Sequence, residues 1–294
     1  GFKRGLAAGI TACASLIATV IPPSIALIMY GFMAEVSIGQ LFMAGILPGL
    51  LLAFFLFLYN FFIARKHDLP KEHEQFSLKE VLNTLSAAIL ALMTPVIIIG
   101  GIRFGIMTPT EAGAITVVYA FIIGFFVYKK ITLKNLKAVL IDSVVLTSVV
   151  MMIVAASSAF GWVLTWEQIP QQVANSVLNI TDNPILILLI INMLLLIIGM
   201  FIEGTASIVL LTPLLIPLIT EVGIDPIHFG IIMVMNLAIG SITPPLGTVM
   251  FTASAVSEVS IIRFLKESWG LYIVLFIVLM IVTYVPSLSL LLTN

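Results

Sequence analysis

Two pairs of consecutive prolines, each inside a strongly apolar stretch, are the residues of this sequence whose type and spacing point to chemistry. The pairs are Pro22-Pro23 and Pro244-Pro245. Proline has no N–H and clashes with the carbonyl four residues earlier, so each pair predicts a break in a helix. Unpaired backbone groups are costly in hydrocarbon, so such a break persists only where it is buried or lines a cavity. The freed carbonyls suit a monovalent cation, and the N-terminus of the following half-helix suits an anion.

Polar side chains close to the breaks would add ligands to the freed carbonyls. The hydroxyl-bearing residues are Thr19, Ser24, Ser241, Thr243 and Thr248. Asn236, shortly before the second break, is a further candidate, whereas Asn192 is expected to bond between helices. The alternative is that each proline pair only kinks its helix for packing. Two pairs in related sequence contexts favour a binding site.

Composition places the chain in a membrane. Of its 294 residues, 61% are hydrophobic and 9% are charged, with a mean hydropathy of +1.23. Soluble domains are about 45–50% apolar and about 25% charged. We therefore predict an all-α polytopic membrane protein with about eight or nine membrane segments. The net charge of −1 does not suggest nucleic acid as a partner, and a single cysteine excludes an internal disulfide.

Apolar runs separated by short polar stretches predict the membrane segments. Two runs are interrupted by the proline pairs, and the stretch 166–182 is amphipathic enough to lie along the membrane interface. The predicted segments are 6–33, 40–64, 82–102, 109–128, 138–165, 185–201, 206–219, 227–256 and 268–292.

The basic residues orient these segments, because cytoplasmic loops collect lysine and arginine. Counting crossings places all but one of the 13 basic residues on the cytoplasmic side and leaves only Arg103 on the other. With this orientation the first proline-broken segment runs outward and the second runs inward.

The two broken segments belong to an internal repeat. Residues 17–23 read IATVIPP and residues 239–245 read IGSITPP. The letters EVSI follow at 35–38 and, after a slip of one residue, at 258–261. Because the copies have opposite orientation, the repeat is predicted to be inverted. Paired broken segments of this kind point to the binding site of a secondary transporter.

A predicted helical hairpin precedes the second copy. The runs 185–201 and 206–219 have both outer flanks on the same side, and the second run has only 14 residues. A span needs about 20 residues, so a re-entrant hairpin fits better. Two tilted complete spans remain the alternative.

Three charged residues outside the breaks are further candidates. Glu203 lies at the predicted hairpin tip, where an ionisable residue is either functional or simply solvated. Glu111 follows Thr108 and Pro109 in the pattern of a capping box, which favours a structural role over direct coupling. Arg103 could attract an anion, but an anchor at the lipid head groups is favoured.

Longer motifs surround the residues described so far, and they carry a family resemblance. They are GLAAGITA at 5–12, VIPPS at 20–24, MTPTEAG at 107–113, GMFIE at 199–203, GIDPIHFG at 223–230, NLAIG at 236–240 and TPP at 243–245. With these motifs the chain resembles the large membrane subunit, of DctM or SiaM type, of a TRAP (tripartite ATP-independent periplasmic) transporter. The resemblance covers essentially the whole chain.

The resemblance implies an elevator-type secondary transporter of the bacterial inner membrane. It implies sodium-coupled import of organic acids of the C4-dicarboxylate or sialic acid type. Two partners are implied, a small membrane subunit of DctQ or SiaQ type and a periplasmic substrate-binding protein of DctP or SiaP type. It also implies that scaffold helices and a first hairpin precede Gly1, so that the chain is expected to be an N-terminally truncated fragment.

The resemblance also implies sites and a domain division. Substrate-binding residues are expected to be Thr19, Pro22, Pro23, Ser24, Thr243, Pro244, Pro245, Gly247 and Thr248. Sodium ligands are expected among Ser15, Thr19, Ile21, Gly204, Thr205, Ser207, Asn236, Gly240, Ser241 and Thr243. The expected divisions are a first broken helix (1–33), scaffold and connecting helices (34–183), a hairpin with the second broken helix (184–257) and a C-terminal helix (258–294).

Other functions are disfavoured to different degrees. A binding-protein-independent sodium/carboxylate symporter or exchanger of related architecture is the alternative transport function. A membrane-embedded enzyme is not expected, because Glu111, Asp142 and Glu203 lie on different segments and no histidine pair accompanies them. A scaffold without transport would leave the inverted repeat unexplained.

Overall fold

The computed structural model describes residues 2–66 and 77–293, and within these ranges every regular element is helical. Gly1 and most of the charged loop between the second and third predicted segments lie outside the described residues. The helices are α1 (Arg4–Ser15), α2 (Ile17–Val20), α3 (Ile25–Met33), α4 (Ile38–Lys66), α5 (Leu78–Arg103), α6 (Pro109–Ile122), α7 (Leu133–Trp166), α8 (Ile169–Leu178), α9 (Pro184–Phe201), α10 (Gly204–Glu221), α11 (Pro226–Ile242), α12 (Thr248–Val256), α13 (Ile261–Tyr284) and α14 (Ser287–Leu290). A π-helical turn at Ile123–Val127 continues α6.

The chain divides into two compact units. One comprises Gly1–Pro70 and Ser157–Asn294 and contains both proline pairs, and the other comprises Lys71–Ala156. Large side chains with almost no exposed surface form the core of the first unit; they include Tyr30, Phe42, Phe229 and Phe264. In the second unit many large apolar side chains are exposed, which suits a hydrocarbon environment. The four-part domain division expected from the sequence stays a prediction.

Six helices in the described residues are long and apolar enough to cross a membrane, and the number rises to eight if each of two bent helix pairs is one span. This finding confirms the prediction of an all-α polytopic membrane protein. The last segment was predicted at 268–292, and that placement was wrong, because α13 already begins at Ile261. Arg263 and Lys266 lie at exposed positions in its first two turns, where the helix accommodates their charges.

Both predicted helix breaks are present. Residues 21–24 separate α2 from α3, and residues 243–247 separate α11 from α12. The Pro22-Pro23 and Pro244-Pro245 peptide bonds are both cis. The second break is one residue longer than the first, which accounts for the slip in the sequence repeat.

The two broken segments share backbone details beyond the prolines. After each second half-helix one glutamate is left-handed, Glu35 with φ 55° and Glu258 with φ 53°. The N–H of the following valine then donates to the carbonyl five residues earlier, at 3.1 Å in the first copy and 3.0 Å in the second. The repeat predicted from the sequence is therefore present in the backbone.

The broken segments run antiparallel. The hydroxyl of Tyr30, in α3, donates to the carbonyl of Pro226, the first residue of α11, at 2.6 Å. At the opposite ends, Arg4 at the start of α1 lines the same cavity of about 700 Å³ as Val256 at the end of α12. The antiparallel course agrees with the predicted inversion of the repeat.

Helices α9 and α10 form the hairpin, and its turn is Ile202-Glu203. Each arm has 18 residues, which corresponds to about 27 Å at the α-helical rise. The prediction of a 14-residue second arm was wrong, because Glu203 caps α10 by accepting the N–H of Ala206 at 2.9 Å and the helix begins directly after it. Arm length alone therefore does not separate a re-entrant hairpin from two complete spans.

Helix α9 packs against α11 so closely that their backbones are in contact. A Cβ added at Gly240 would lie 2.6 Å from the Cα of Gly199, and one added at Gly199 would lie 3.2 Å from the Cα of Gly240. The absence of both side chains lets the hairpin approach the second broken segment just before its break.

Glu267 of α13 fixes the start of α1. Its carboxylate accepts the Nε–H of Arg263 at 3.0 Å and the backbone N–H of Leu6 at 3.3 Å. Helix α1 has no side-chain cap of its own at Lys3, so a carboxylate from another helix satisfies one of its free N–H groups. The first broken segment is thereby held against α13.

The glycine contact predicts a clear stability effect. Gly240→Ala should lower the free energy of unfolding by about 1–3 kcal/mol, because the new Cβ meets backbone that cannot easily move. Thermal unfolding of the purified protein in detergent measures this as a lower Tm. Gly161→Ala is the matched control, since its Cβ meets nothing within 4 Å, and it should leave Tm unchanged or slightly raised. Equal effects of the two changes would contradict the contact.

Candidate functional site

A cavity of about 420 Å³ lies where the first break, the hairpin tip and the second broken segment meet. Its polar lining residues are Thr19, Ser24, Glu203, Thr205, Ser241 and Thr248. Within the described residues no lysine or arginine lines it. The hairpin tip therefore lies beside the interior of the first broken segment, as expected of a re-entrant hairpin.

Five helix ends converge on this cavity. The N-terminal residues of α3, α10 and α12 line it, and so do residues in the last turns of α2 and α11. Helix N-termini present N–H groups and a partial positive charge, whereas C-termini present carbonyls and a partial negative charge. The same cavity can therefore offer donors to an anion and carbonyl oxygens to a cation.

Hydroxyl groups near the C-terminal ends of α2 and α11 can accept a bond from the cavity. Thr19 Oγ1 donates to the carbonyl of Leu16 at 2.7 Å, and Ser241 Oγ donates to that of Ala238 at 2.6 Å. A hydroxyl that donates its only proton keeps its lone pairs for another partner. Both oxygens are thus suited to a cation.

Ser24 forms a hydrogen bond to one of the carbonyls freed at the first break. Pro23 has no N–H to donate to the carbonyl of Thr19, four residues earlier. The hydroxyl of Ser24 donates to that carbonyl at 2.6 Å and accepts the N–H of Leu27 at 3.4 Å as the N-cap of α3. This buried side chain therefore links the two half-helices.

The second break instead leaves two carbonyls close to Gly247. Gly247 is the N-cap of α12, as Ser24 is of α3, but it has no side chain to donate. A Cβ added there would lie 2.7 Å from the carbonyl oxygen of Thr243 and 2.8 Å from that of Ser241. Pro245 has no N–H for the Ser241 carbonyl. Gly247 is buried, so both oxygens approach its backbone closely and a larger residue there would clash with them.

Thr243 and Pro244 also face a different cavity. It has a volume of about 500 Å³, is otherwise lined mainly by apolar side chains of α9, α11 and α13, and lies beside the second break. The hydroxyl of Thr243 donates to the carbonyl of Ile239 at 2.7 Å. Tyr272, which lines this cavity, donates its hydroxyl hydrogen to the carbonyl of Ile242 at 2.6 Å.

Glu203 is first a helix cap. Its Oε2 accepts the N–H of Ala206 at 2.9 Å, and its Oε1 accepts the hydroxyl of Thr205 at 3.0 Å. The side chain is exposed and lines the cavity. One residue thereby begins α10 and places a negative charge at the cavity wall.

Several predicted ligands lie away from this cavity. Ser15 lines the cavity between α1 and α12, and Ile21 packs against Gly49, where an added Cβ would lie 2.3 Å from Ile21 Cγ1. Ser207 is fully buried and donates to the carbonyl of Glu203 at 3.0 Å. Pro23 and Gly204 do line the 420 Å³ cavity, whereas Pro22, Pro245 and Gly240 are not among its lining residues.

Asn236 belongs to a buried polar network. Its amide donates to the carbonyl of the Asn192 side chain, whose own amide donates to the hydroxyl of Thr283 at 3.1 Å. The Nε2 of His228 lies 3.2 Å from the backbone carbonyl of Thr283. The network joins α9, α11 and α13, so the interhelical role predicted for Asn192 is confirmed. Asn236 lies within this network and not at the cavity wall.

Glu111 and Arg103 belong to the second compact unit. The hydroxyl of Thr108 accepts the N–H of Glu111 at 3.3 Å, and the carboxylate of Glu111 accepts the N–H of Thr108 at 2.7 Å. The predicted capping box is therefore confirmed. Arg103 is the last residue of α5 and is exposed.

Sequence reasoning missed the tyrosines that bond the ends of α11. Tyr30 and Tyr272 donate to carbonyls that are 196 and 30 residues away along the chain. A tyrosine in an apolar helix gives no sequence signal of such a long-range bond. Ala18 and Ala238, which also line the cavity, were missed because alanine is equally common at packed positions.

This fold and cavity define an all-α, multi-pass membrane protein with an inverted repeat and two broken helices. That class is typical of secondary transporters. Residues 1–288 match the family described as the DctM component of the tripartite ATP-independent periplasmic transporter. The chain belongs to that family.

Curated relatives cover the chain almost completely. The sialic acid TRAP transporter large permease protein SiaM of Vibrio cholerae is 43% identical over 99% of this chain and 68% of its own length. The C4-dicarboxylate TRAP transporter large permease protein DctM of Pseudomonas aeruginosa is 42% identical over 100% of this chain and 69% of its own. The isethionate TRAP transporter permease protein DctMQ of Oleidesulfovibrio alaskensis is 42% identical over 98% of this chain. The chain spans 45% of the length of this third relative.

The buried asparagine pair predicts coupled stability effects. Asn192→Ala and Asn236→Ala should each lower the free energy of unfolding by about 1–3 kcal/mol, because each leaves a buried polar partner without its hydrogen bond. The double variant should be less destabilised than the sum of the two, because residues that share a bond do not act independently. Tm values in detergent complete the cycle. Strict additivity would show that the two side chains do not interact.

Proposed function

We propose that the chain belongs to the large permease subunit of a sodium-coupled, binding-protein-dependent TRAP transporter. Its transported substrates are organic acids of the C4-dicarboxylate or sialic acid type, and its location is the bacterial inner membrane. The observation that carries the proposal is the cavity in which three helix N-termini and two helix C-terminal ends converge. The family membership and the substrates for which the relatives are named support the same function.

The N-terminal helix ends are suited to bind the carboxylate of the substrate. First-turn N–H groups and the helix dipole bind carboxylates without a basic side chain. Ser24 caps α3 and Glu203 caps α10, but α12 has Gly247 at its N-cap and no side-chain cap. The first turn of α12 is therefore the best-suited carboxylate site, and the hydroxyl of Thr248 adds a further group there.

The C-terminal helix ends supply oxygen ligands for the sodium ion. The carbonyls of Ser241 and Thr243 converge near Gly247, and the hydroxyls of Thr19 and Ser241 are oriented as acceptors. Such oxygen ligands at unwound backbone are those that coordinate sodium in secondary transporters. Because no lysine or arginine lines the cavity in the described residues, a bound sodium would supply the positive charge next to the substrate.

The remaining parts of the proposal concern orientation and partners. Basic residues on one side of the predicted segments support a cytoplasmic placement of that side. A small membrane subunit and a periplasmic substrate-binding protein are proposed as partners, in line with the family description of a tripartite periplasmic transporter. The elevator movement is likewise part of the proposal.

Uptake into proteoliposomes tests this function. The large subunit, reconstituted with its small membrane subunit, should take up labelled C4-dicarboxylates or sialic acid only with sodium outside and a cognate binding protein present. Potassium in place of sodium, and omission of the binding protein, are the controls. Sodium-driven uptake without any binding protein would replace the proposal by a symporter, and uptake independent of sodium would contradict the coupling.

The close approach of two carbonyl oxygens to Gly247 gives a sharper test of the cation site. Gly247→Ala should raise the sodium concentration for half-maximal uptake about tenfold or abolish uptake, because a Cβ would lie within 2.8 Å of both carbonyl oxygens. A tenfold change corresponds to about 1.4 kcal/mol. Gly161→Ala, whose Cβ meets nothing within 4 Å, should leave the sodium dependence unchanged. An unaltered sodium dependence in Gly247→Ala would exclude a cation at this position.

A further inference from the structure

The corresponding carbonyls of the two breaks have different neighbours, and Tyr272 accounts for the difference at the second one. In the first break the carbonyl of Val20 lies against α4, where a Cβ at Gly45 would be 2.4 Å from its oxygen. The corresponding carbonyl of the second break, that of Ile242, accepts the hydroxyl of Tyr272 at 2.6 Å. A close-packed glycine in one repeat is thus replaced by a hydrogen-bond donor in the other.

Tyr272 reaches the break from its apolar side. Its side chain is half-buried in the cavity of about 500 Å³ that Leu196, Ile273 and Phe276 also line. An unpaired carbonyl in such surroundings has a high free energy, because apolar side chains and lipid offer no donor. The phenol hydroxyl is therefore the group that allows the carbonyl of Ile242 to point to this side.

The direction of that carbonyl constrains its two neighbours. Ser241, Ile242 and Thr243 are consecutive, and the carbonyl oxygens of Ser241 and Thr243 lie on the Gly247 side. The carbonyl between them points to α13 instead. A rotation of the middle peptide unit would therefore alter the spacing of the two outer oxygens.

We propose that Tyr272 is the positioning residue of the cation site at the second break. Its hydroxyl holds the carbonyl of Ile242 toward α13, and the carbonyls of Ser241 and Thr243 are thereby both directed toward Gly247. Tyr272 does not touch the ion. This inference rests on the proposed sodium-coupled function and names how that site is held in shape.

Two tyrosines make a matched comparison. Tyr30 and Tyr272 both donate to a backbone carbonyl of α11 at 2.6 Å, Tyr30 at the first residue of the helix and Tyr272 at its last. Tyr272→Phe should raise the sodium concentration for half-maximal uptake about tenfold, the effect of one lost hydrogen bond at the site. Tyr30→Phe should change it less than about twofold, although both variants should lower Tm in sodium-free buffer.

A donor-graded substitution separates positioning from packing. Para-aminophenylalanine at position 272 keeps the ring and replaces the phenol by a weaker N–H donor, so its half-maximal sodium concentration should lie between those of tyrosine and phenylalanine. If Tyr272→Phe does not insert into the membrane, the comparison of tyrosine with para-aminophenylalanine still tests the proposal. The sodium-dependent rise in Tm, measured in detergent, provides a readout independent of transport.

The outcomes distinguish this inference from the function on which it rests. Sodium dependence in the unmodified protein together with an unchanged value in Tyr272→Phe would overturn the inference alone. Equal shifts in Tyr272→Phe and Tyr30→Phe would also overturn it, since the effect would then be general destabilisation. Absence of any sodium effect in the unmodified protein would overturn the proposed coupling and this inference with it.

Discussion

Backbone groups freed at membrane depth are the constraint on which this structure depends. A proline pair removes two N–H donors from a helix, and hydrocarbon supplies no replacement. The protein meets this requirement with nearby hydroxyls, such as Ser24 on the carbonyl of Thr19 and Thr243 on that of Ile239. It also uses a donor from another helix, Tyr272, on the carbonyl of Ile242. The packing of α4, α9 and α13 around the breaks follows from the same requirement.

The repeat conserves its backbone more closely than its side-chain chemistry. Both copies have the proline pair, the second half-helix and the left-handed glutamate after it. At the N-cap of that half-helix, however, the first copy has Ser24 and the second has Gly247. The serine bonds a freed carbonyl, whereas the glycine lets two carbonyl oxygens approach closely and leaves the first turn of α12 without a side-chain cap. Similar backbones therefore present different sets of ligands on the two sides of one cavity.

Local rules predicted much of this arrangement from the sequence. Proline chemistry predicted both breaks, and the Thr108–Glu111 spacing predicted the capping box. Each of these features depends on residues close together in the chain. The length of α10 was underestimated because Glu203, judged only as an ionisable residue, is also the cap that starts the helix. Asn236 was expected at the site because of its distance from the break, but its partner Asn192 lies on another helix. The bonds of Tyr272 and Glu267 are of the same long-range kind, and single-sequence patterns carry no information about them.

The composition of the cavity bears directly on coupling in the proposed function. Without a lysine or arginine in its described lining, an organic anion would find only helix dipoles and hydroxyls as positive partners. A sodium ion held about 4 Å from a carboxylate attracts it by about 4 kcal/mol at an effective dielectric constant of about 20. Coupling free energies between binding sites are commonly about 1–3 kcal/mol, so this direct attraction is large enough to link the two ligands without a separate relay. The linkage is reciprocal, so at sodium concentrations below saturation a change that weakens sodium binding near Gly247 would also lower the apparent affinity for the substrate.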